Sequence, residues 1–194
     1  MTNRPKILAF AGSTREASYN KLLVKVAAAG ARAAGAEVTY VDLRDLPMPL
    51  FDEELEAKEG IPENGRKLKE LMVAHHGFLI ASPEYNSSIT PVLKNAIDWV
   101  SRPAAPGEPR LVAFTGKVAV IMSASPGGMG GLRGLVHLRS ILGNINVLVL
   151  PDQKAIPQAF EVFNADGTMK DPTLQESVEN LGANLSNVLS KLIA

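Results

Sequence analysis

Three short segments hold most of the residues able to do chemistry. The first reads Gly12-Ser13-Thr14-Arg15-Glu16-Ala17-Ser18-Tyr19-Asn20. Ser13, Thr14, Ser18 and Asn20 are small donors, and Arg15 adds a planar charged fork that matches phosphate oxygens. Gly12 permits a tight turn ahead of them. The spacing is not G-x-G-x-x-G, nor is it G-x-x-x-x-G-K-[ST], and neither pattern occurs elsewhere in the chain. A dinucleotide or a nucleoside triphosphate is therefore disfavoured, whereas a single phosphate monoester is well served. The same hydroxyls have a plainer use as helix caps. Taken by itself, the segment does not choose between the two.

The second segment is Ser82-Pro83-Glu84-Tyr85-Asn86-Ser87-Ser88. Pro83 stiffens it, and Tyr85 offers a flat face beside polar backbone, which suits a planar heterocycle. Alone it also reads as an ordinary turn with an exposed tyrosine. The third is Ser123-Ala124-Ser125-Pro126-Gly127-Gly128-Met129-Gly130-Gly131. Its four glycines let backbone approach a ligand closely, or simply make a flexible turn. Arg133, His137 and Arg139 follow on a predicted helix and read as solvated or interface residues rather than catalysts.

Composition removes several other chemistries. The 194 residues include no cysteine, so disulfides, thiolate metal sites and a cysteine nucleophile are excluded. A zinc site would have only three histidines and the carboxylates to use, and none of the histidines stands in H-E-x-x-H. No serine lies in G-x-S-x-G, which argues against an α/β-hydrolase. The 20 basic and 20 acidic residues cancel, which gives no electrostatic reason to expect nucleic acid or an anionic membrane as partner. No apolar run reaches the length of a membrane span, and the N-terminus lacks a signal-peptide pattern, so a cytoplasmic protein is expected.

These segments need elements to position them. Short apolar runs at 7–11, 38–41, 78–81, 118–122 and 147–150 predict five strands. Helices are expected between them. Leu22, Val26, Ala29 and Ala33 share one helix face, and Gly35 is placed to end that helix. The 42–64 stretch, with Pro47, Pro49 and an acidic group, reads as irregular, and a short helix is expected over 65–74. Thr90 and Asp171, each followed by proline, predict N-caps. After Asp171, Leu174, Val178, Leu181, Leu185, Leu189 and Leu192 form the apolar stripe of the last helix. A helix is expected over 132–142. His75 and His76 precede the third strand, away from the ligand end.

Strands alternating with helices predict an α/β fold: a doubly wound, five-stranded parallel sheet with helices on both faces. Ligands in such folds bind beyond the C-terminal strand ends, where the chemistry-bearing segments lie. One domain over 1–194 is expected.

Together the three segments resemble the NADPH-dependent FMN reductase family of flavodoxin-like quinone, azo and chromate reductases. The matching pieces are Gly12-Ser13-x-Arg15-x-x-Ser18-x-Asn20, Ser82-Pro83-Glu84-Tyr85-Asn86 running into Leu93-Lys94-Asn95-Ala96-Ile97-Asp98-Trp99, and Ser125-Pro126-Gly127-Gly128. The resemblance implies noncovalent FMN with Ser13, Arg15, Ser18 and Asn20 on its phosphate. It implies Pro83, Glu84, Tyr85 and Asn86 along the isoalloxazine, largely through backbone. Ser123, Ser125, Gly127 and Gly128 would close over the other side of the ring. It further implies NADPH or NADH as reductant, ping-pong transfer through FMN to a quinone, azo, metal or flavin acceptor, and a homodimer or homotetramer. No protein acid or base is required. The 94–99 stretch reads as structural or interfacial. The 101–117 segment is longer than in compact members and could alter the pocket rim or subunit contacts. A non-enzymatic flavodoxin-like carrier or redox sensor is the rival reading. Such carriers are strongly acidic, and this chain is neutral.

Overall fold

The computed structural model describes residues 4–193. Five strands form one all-parallel sheet: β1 (Lys6–Ala11), β2 (Glu37–Asp42), β3 (Gly77–Ala81), β4 (Val118–Ala124) and β5 (Leu148–Ile156). The spatial order is β2-β1-β3-β4-β5, the flavodoxin-like arrangement, with its switch point between β1 and β3.

Alternation along the central strands divides the core into two layers. Ile7, Ala9 and Ala11 face α1 (Tyr19–Ala33) and α7 (Pro172–Leu192). Leu8 and Phe10 face the opposite cluster, built from α3 (Glu63–Ala74), α4 (Pro91–Val100) and α5 (Leu132–Asn144). Burial on both faces explains why these strands read as unbroken apolar runs.

Helix starts follow the expected caps. The Thr90 hydroxyl accepts from Leu93 N–H ahead of Pro91, and the Asp171 carboxylate accepts from Thr173 N–H. In the last helix Val178, Leu181, Leu185 and Leu189 are buried as predicted, but Leu192 lies past the core edge and is exposed. Two short helices escape the hydrophobic pattern. The first, α2 (Glu53–Glu59), buries no residue, and Asp52 caps it by accepting from Glu54 and Leu55 N–H. The second, α6 (Ala159–Val162), is a single turn.

The fifth strand runs six residues beyond its expected end. Pro151 has no N–H to give the ladder. The strand instead bulges: Val149 pairs with Ala119, and pairing resumes at Gln153 with Ile121. Arg139 spans the bulge, donating to Val149 O at 3.2 Å and to Gln153 Oε1 at 2.8 Å. Its role is therefore structural.

The 94–99 stretch anchors the irregular segment before α2. Trp99 is fully buried, and its Nε1–H donates to Pro49 O at 2.8 Å. Asn95 donates to the same carbonyl at 2.9 Å and accepts from Phe51 N–H at 2.7 Å.

The 101–117 segment joins the end of α4 to the start of β4, on the far side of the sheet from the strand C-termini. Its expected effect on the pocket rim is not realised within this chain. A buried ion pair from Lys69 to Glu108 holds it, and Lys69 also donates to Arg102 O at 2.5 Å. Burial pushes the Glu108 carboxyl up, but the Lys69 hydrogen bond, the Ala104 N–H and the Lys69 charge outweigh this and hold it below its ordinary value. A depressed carboxyl stabilises the fold above the unfolded-state range and loses that contribution as pH falls through the folded value. Lys69→Met should therefore cost about 2 kcal/mol near pH 7, part of the range for breaking a buried pair because Glu108 is not fully enclosed. The ion-pair part of the penalty should disappear in acid, leaving the loss of the bond to Arg102 O. Urea melts of both proteins from pH 7 downward check this, and parallel pH profiles would refute it.

Candidate functional site

The loops after β1, β3 and β4 meet in one cleft of about 220 Å³. Its lining includes Ser13, Arg15, Ser18 and Asn20 from the first loop, Pro83, Glu84 and Tyr85 from the second, and Ser125 from the third. The second segment lies more than 60 residues after the first and the third about 40 after the second, and the switch point gathers them.

The first loop is fixed by its neighbours. Gly12 N–H continues the sheet by donating to Ala81 O at 2.8 Å. The Thr90 hydroxyl donates to Gly12 O at 2.7 Å while capping α4, so the N-terminus of α4 is tied to this turn. Ser13 Oγ accepts from Arg15 N–H at 3.3 Å. Arg15 is exposed, with its guanidinium 5.4 Å from the centre of the Tyr19 ring.

Ser18 decides between the two readings of this loop. Asp52, Thr90 and Asp171 all cap the helices they precede, but the buried Ser18 makes no side-chain cap bond to α1. The residue lines the cleft instead. In the first turn of this 15-residue helix Lys21 and Leu22 N–H donate to Ser18 O, which leaves the Tyr19 and Asn20 N–H groups and the positive dipole end for an anion. No acidic residue occupies that turn. These donors suit a phosphate monoester, so the residues present fit the phosphate end of FMN.

Asn20 has a second role that the sequence does not disclose. Its Nδ2 donates to Ala124 O at 2.8 Å and its Oδ1 accepts from Ala124 N–H at 2.9 Å. The side chain thereby ties the start of α1 to the end of β4, where the third loop begins. Asn20→Asp keeps the shape but loses the donor and sets a carboxylate beside a buried carbonyl. We expect a loss of about 1–3 kcal/mol, read as a fall of several degrees in melting temperature. An unchanged melting curve would show that the tie is not needed.

In the second loop, Tyr85 and Ser88 exchange N–H···O bonds at 2.9 and 3.0 Å around Asn86 and Ser87. Both central residues have positive φ, 49° and 65°, the signature of a type I′ turn. Tyr85 is 58% exposed and available for stacking. Glu84 turns its carboxylate away, onto Arg133 and the Gly134 N–H of α5.

The third loop is pinned by Ser125, which donates its N–H to Ile156 O at 3.0 Å and accepts from Ala159 N–H at 3.1 Å. Asn86, Gly127 and Gly128 are exposed and do not line the cleft. Ser123 does not reach it either. Its side chain is fully buried with no hydrogen-bond partner, under Gly131, where a Cβ would fall 1.9 Å from Ser123 Oγ. Tyr19, Ala124 and Pro126 also line the cleft. All three lie within the quoted segments, but nothing in their types marked them.

The histidines stay clear of the cleft. His75 bonds Leu71 O and Thr39 Oγ1, and His76 Nδ1 accepts from Lys6 N–H at 2.9 Å, all at the start of β3. Among the described residues no group of three or more His, Cys, Asp or Glu side chains could hold a metal ion. No helix there is long and apolar enough to cross a membrane.

Comparison with known proteins agrees with this geometry. The family model for NADPH-dependent FMN reductase matches residues 5–161. An NAD(P)H-dependent FMN reductase of Pseudomonas aeruginosa is 36% identical over 180 residues, covering 92% of each chain. A quinone reductase of Escherichia coli is 32% identical over 184 residues, covering 90% of this chain and 93% of that one. The solved structure of a flavoenzyme NAD(P)H:(acceptor) oxidoreductase from Paracoccus denitrificans superposes with a TM-score of 0.80 at 26% identity, covering 96% of this chain and 98% of that chain. A cleft that leaves a helix N-terminus open to phosphate, on this sheet order and with these relatives, has one consistent placement: the chain belongs to the NADPH-dependent FMN reductase family of oxidoreductases.

Proposed function

We propose that the cleft binds FMN and that the protein uses NADPH or NADH to reduce a small acceptor: a quinone, an azo compound, a metal ion or a flavin. The observation that carries this is the uncapped N-terminus of α1 beside Ser13, Arg15 and Ser18. In this reading Ser13, Arg15 and Ser18 face the phosphate with their side chains, and Asn20, whose amide holds Ala124, faces it with its backbone N–H. Pro83, Glu84, Tyr85 and Asn86 present their backbone, and Tyr85 its ring, to the isoalloxazine. Ser125, Gly127 and Gly128 border its other side, while Ser123 contributes by supporting Gly131 from below. Bound FMN supplies the two-electron chemistry between reductant and acceptor. The chain orients the ring, offers N–H donors where negative charge develops, and leaves one face open for reductant and acceptor in turn. A shared face implies ping-pong kinetics, seen as parallel lines in double-reciprocal plots.

The visible spectrum of the purified protein, with FMN added, tests the reading. FMN should bind, and NADPH without air should bleach it. No binding rejects the flavin site. Binding without bleaching rejects the reductase and leaves the carrier or sensor reading, against which the balanced charge argues.

We further propose one domain over 1–194, a cytoplasmic location, no nucleic-acid or membrane partner, and a homodimer or homotetramer. Met129, Leu132 and Val136 support the last point: they are exposed and spaced by three and four along α5 and the turn before it.

A further inference from the structure

We infer that Arg133 is a positioning residue for the ring-facing loop, acting on it from outside the cleft through the Glu84 carboxylate. The inference rests on the flavin reading. Arg133 lies in the first turn of α5. Its Nε–H and Nη2–H both donate to Glu84 Oε1, at 2.9 and 2.6 Å, and Gly134 N–H donates to Oε2 at 3.2 Å. Both carboxylate oxygens are therefore engaged. The Glu84 side chain is only 9% exposed, although Arg133 remains 56% exposed. Burial pushes the Glu84 carboxyl up, but the Arg133 hydrogen bond and the Gly134 N–H outweigh it, so the group stays ionised and gripped.

The grip matters because the loop is not at rest by itself. Asn86 and Ser87 hold positive φ, a conformation that L-residues adopt only at a cost. Such a conformation persists only where its surroundings fix it. The helix α5 fixes it at both shoulders. One turn after Arg133, His137 Nδ1 and Ser88 Oγ share a hydrogen bond at 2.9 Å. Glu84 and Ser88 are thus held by residues four apart on one helix, on either side of Tyr85. The same helix starts directly from Gly130 and Gly131, the end of the third loop. One helical turn sets the register between the two walls that face the ring.

Arg133→Ala, Arg133→Lys and Glu84→Gln test this, with Kd measured by flavin fluorescence for FMN and for riboflavin, and with the midpoint potential of the bound flavin. Arg133→Ala should weaken FMN and riboflavin by the same factor, about tenfold for one charge-assisted contact, and should move the potential. Arg133→Lys should recover only part, since an ammonium cannot reproduce the two-point fork. Glu84→Gln, which leaves the backbone and volume in place, should reproduce the equal loss and stands in for Arg133→Ala where that variant does not fold. Wild-type affinity and potential in Arg133→Ala or Glu84→Gln overturn the inference alone. So does a loss confined to FMN, which would put Arg133 on the phosphate. A wild-type protein that binds neither flavin overturns the flavin reading and this inference with it.

Discussion

Replacing Arg15 with alanine should weaken FMN binding by about 1.5–3 kcal/mol, some ten- to a hundredfold, and leave riboflavin binding unchanged. The two ligands share a ring and differ in the phosphate, so the comparison isolates the phosphate contact. Arg15 is the cationic side chain lining the cleft. Ser13 and Ser18 supply neutral donors, and the α1 N-terminus only partial charge. A charge-assisted bond is roughly twice as strong as a neutral one, so the arginine should dominate the set. Its exposure adds a second signature: the loss should shrink as salt is raised from low concentration. Tyr19, on which the guanidinium now rests, orients it without holding it rigidly. Titrations of both flavins at two ionic strengths check the prediction. Equal losses for FMN and riboflavin would mean that Arg15 acts on the ring or on the fold instead.

The largest stability effect should come from a position far from the cleft. At the crossing of α1 and α7 the helices touch backbone to backbone. A Cβ on Gly182 would fall 1.8 Å from Ala27 O, and one on Gly30 would fall 2.0 Å from Glu179 O. No rotamer relieves such a clash, because the obstacle is main chain. Gly182→Ala must push the helices apart and open the layer that contains Leu23, Val24, Ala27, Leu181 and Leu185. We expect a loss of about 3 kcal/mol or more, at the upper end for overpacking. For a chain of this size that is roughly 10 °C in melting temperature. Gly143→Ala is the matched control: it too is helical, but nothing lies within 4 Å of its Cβ. There the gain in helix propensity should leave stability equal or up to about 1 kcal/mol higher. Because α1 begins at the phosphate loop, Gly182→Ala should also weaken FMN binding. A melting temperature equal to wild type would refute the backbone contact.

What the sequence could determine was local. Apolar runs named the central strands because β1, β3 and β4 are buried on both faces and must be apolar throughout. Thr90 and Asp171 named their helix starts because a cap acts on N–H groups two or three residues away. The three segments could be read as donors and glycines, since a residue type carries its own chemistry. Where an element outran its apolar run or had none, the signal failed. The apolar run ended at Leu150, though β5 bulges past Pro151 under Arg139 and runs on to Ile156. The helix α2 buries nothing, so it had no stripe to read.

The tertiary structure decided what those segments do. Whether Ser18 caps α1 or faces a ligand depends on the direction of one hydroxyl, which spacing does not encode. Asn20 looked like a phosphate donor, yet its amide holds Ala124, 104 residues away. Ser123 looked like a cleft residue, yet it lies buried under Gly131. Arg133 is solvated as expected, but it also grips Glu84, 49 residues earlier, which the sequence did not show. Gly30 and Gly182 carried no signal at all, because a close approach is a property of two helices and not of either one. Residue type limits which bonds a side chain can make, but only the packed sheet, by bringing distant strand ends within a few ångströms, selects the bonds it makes.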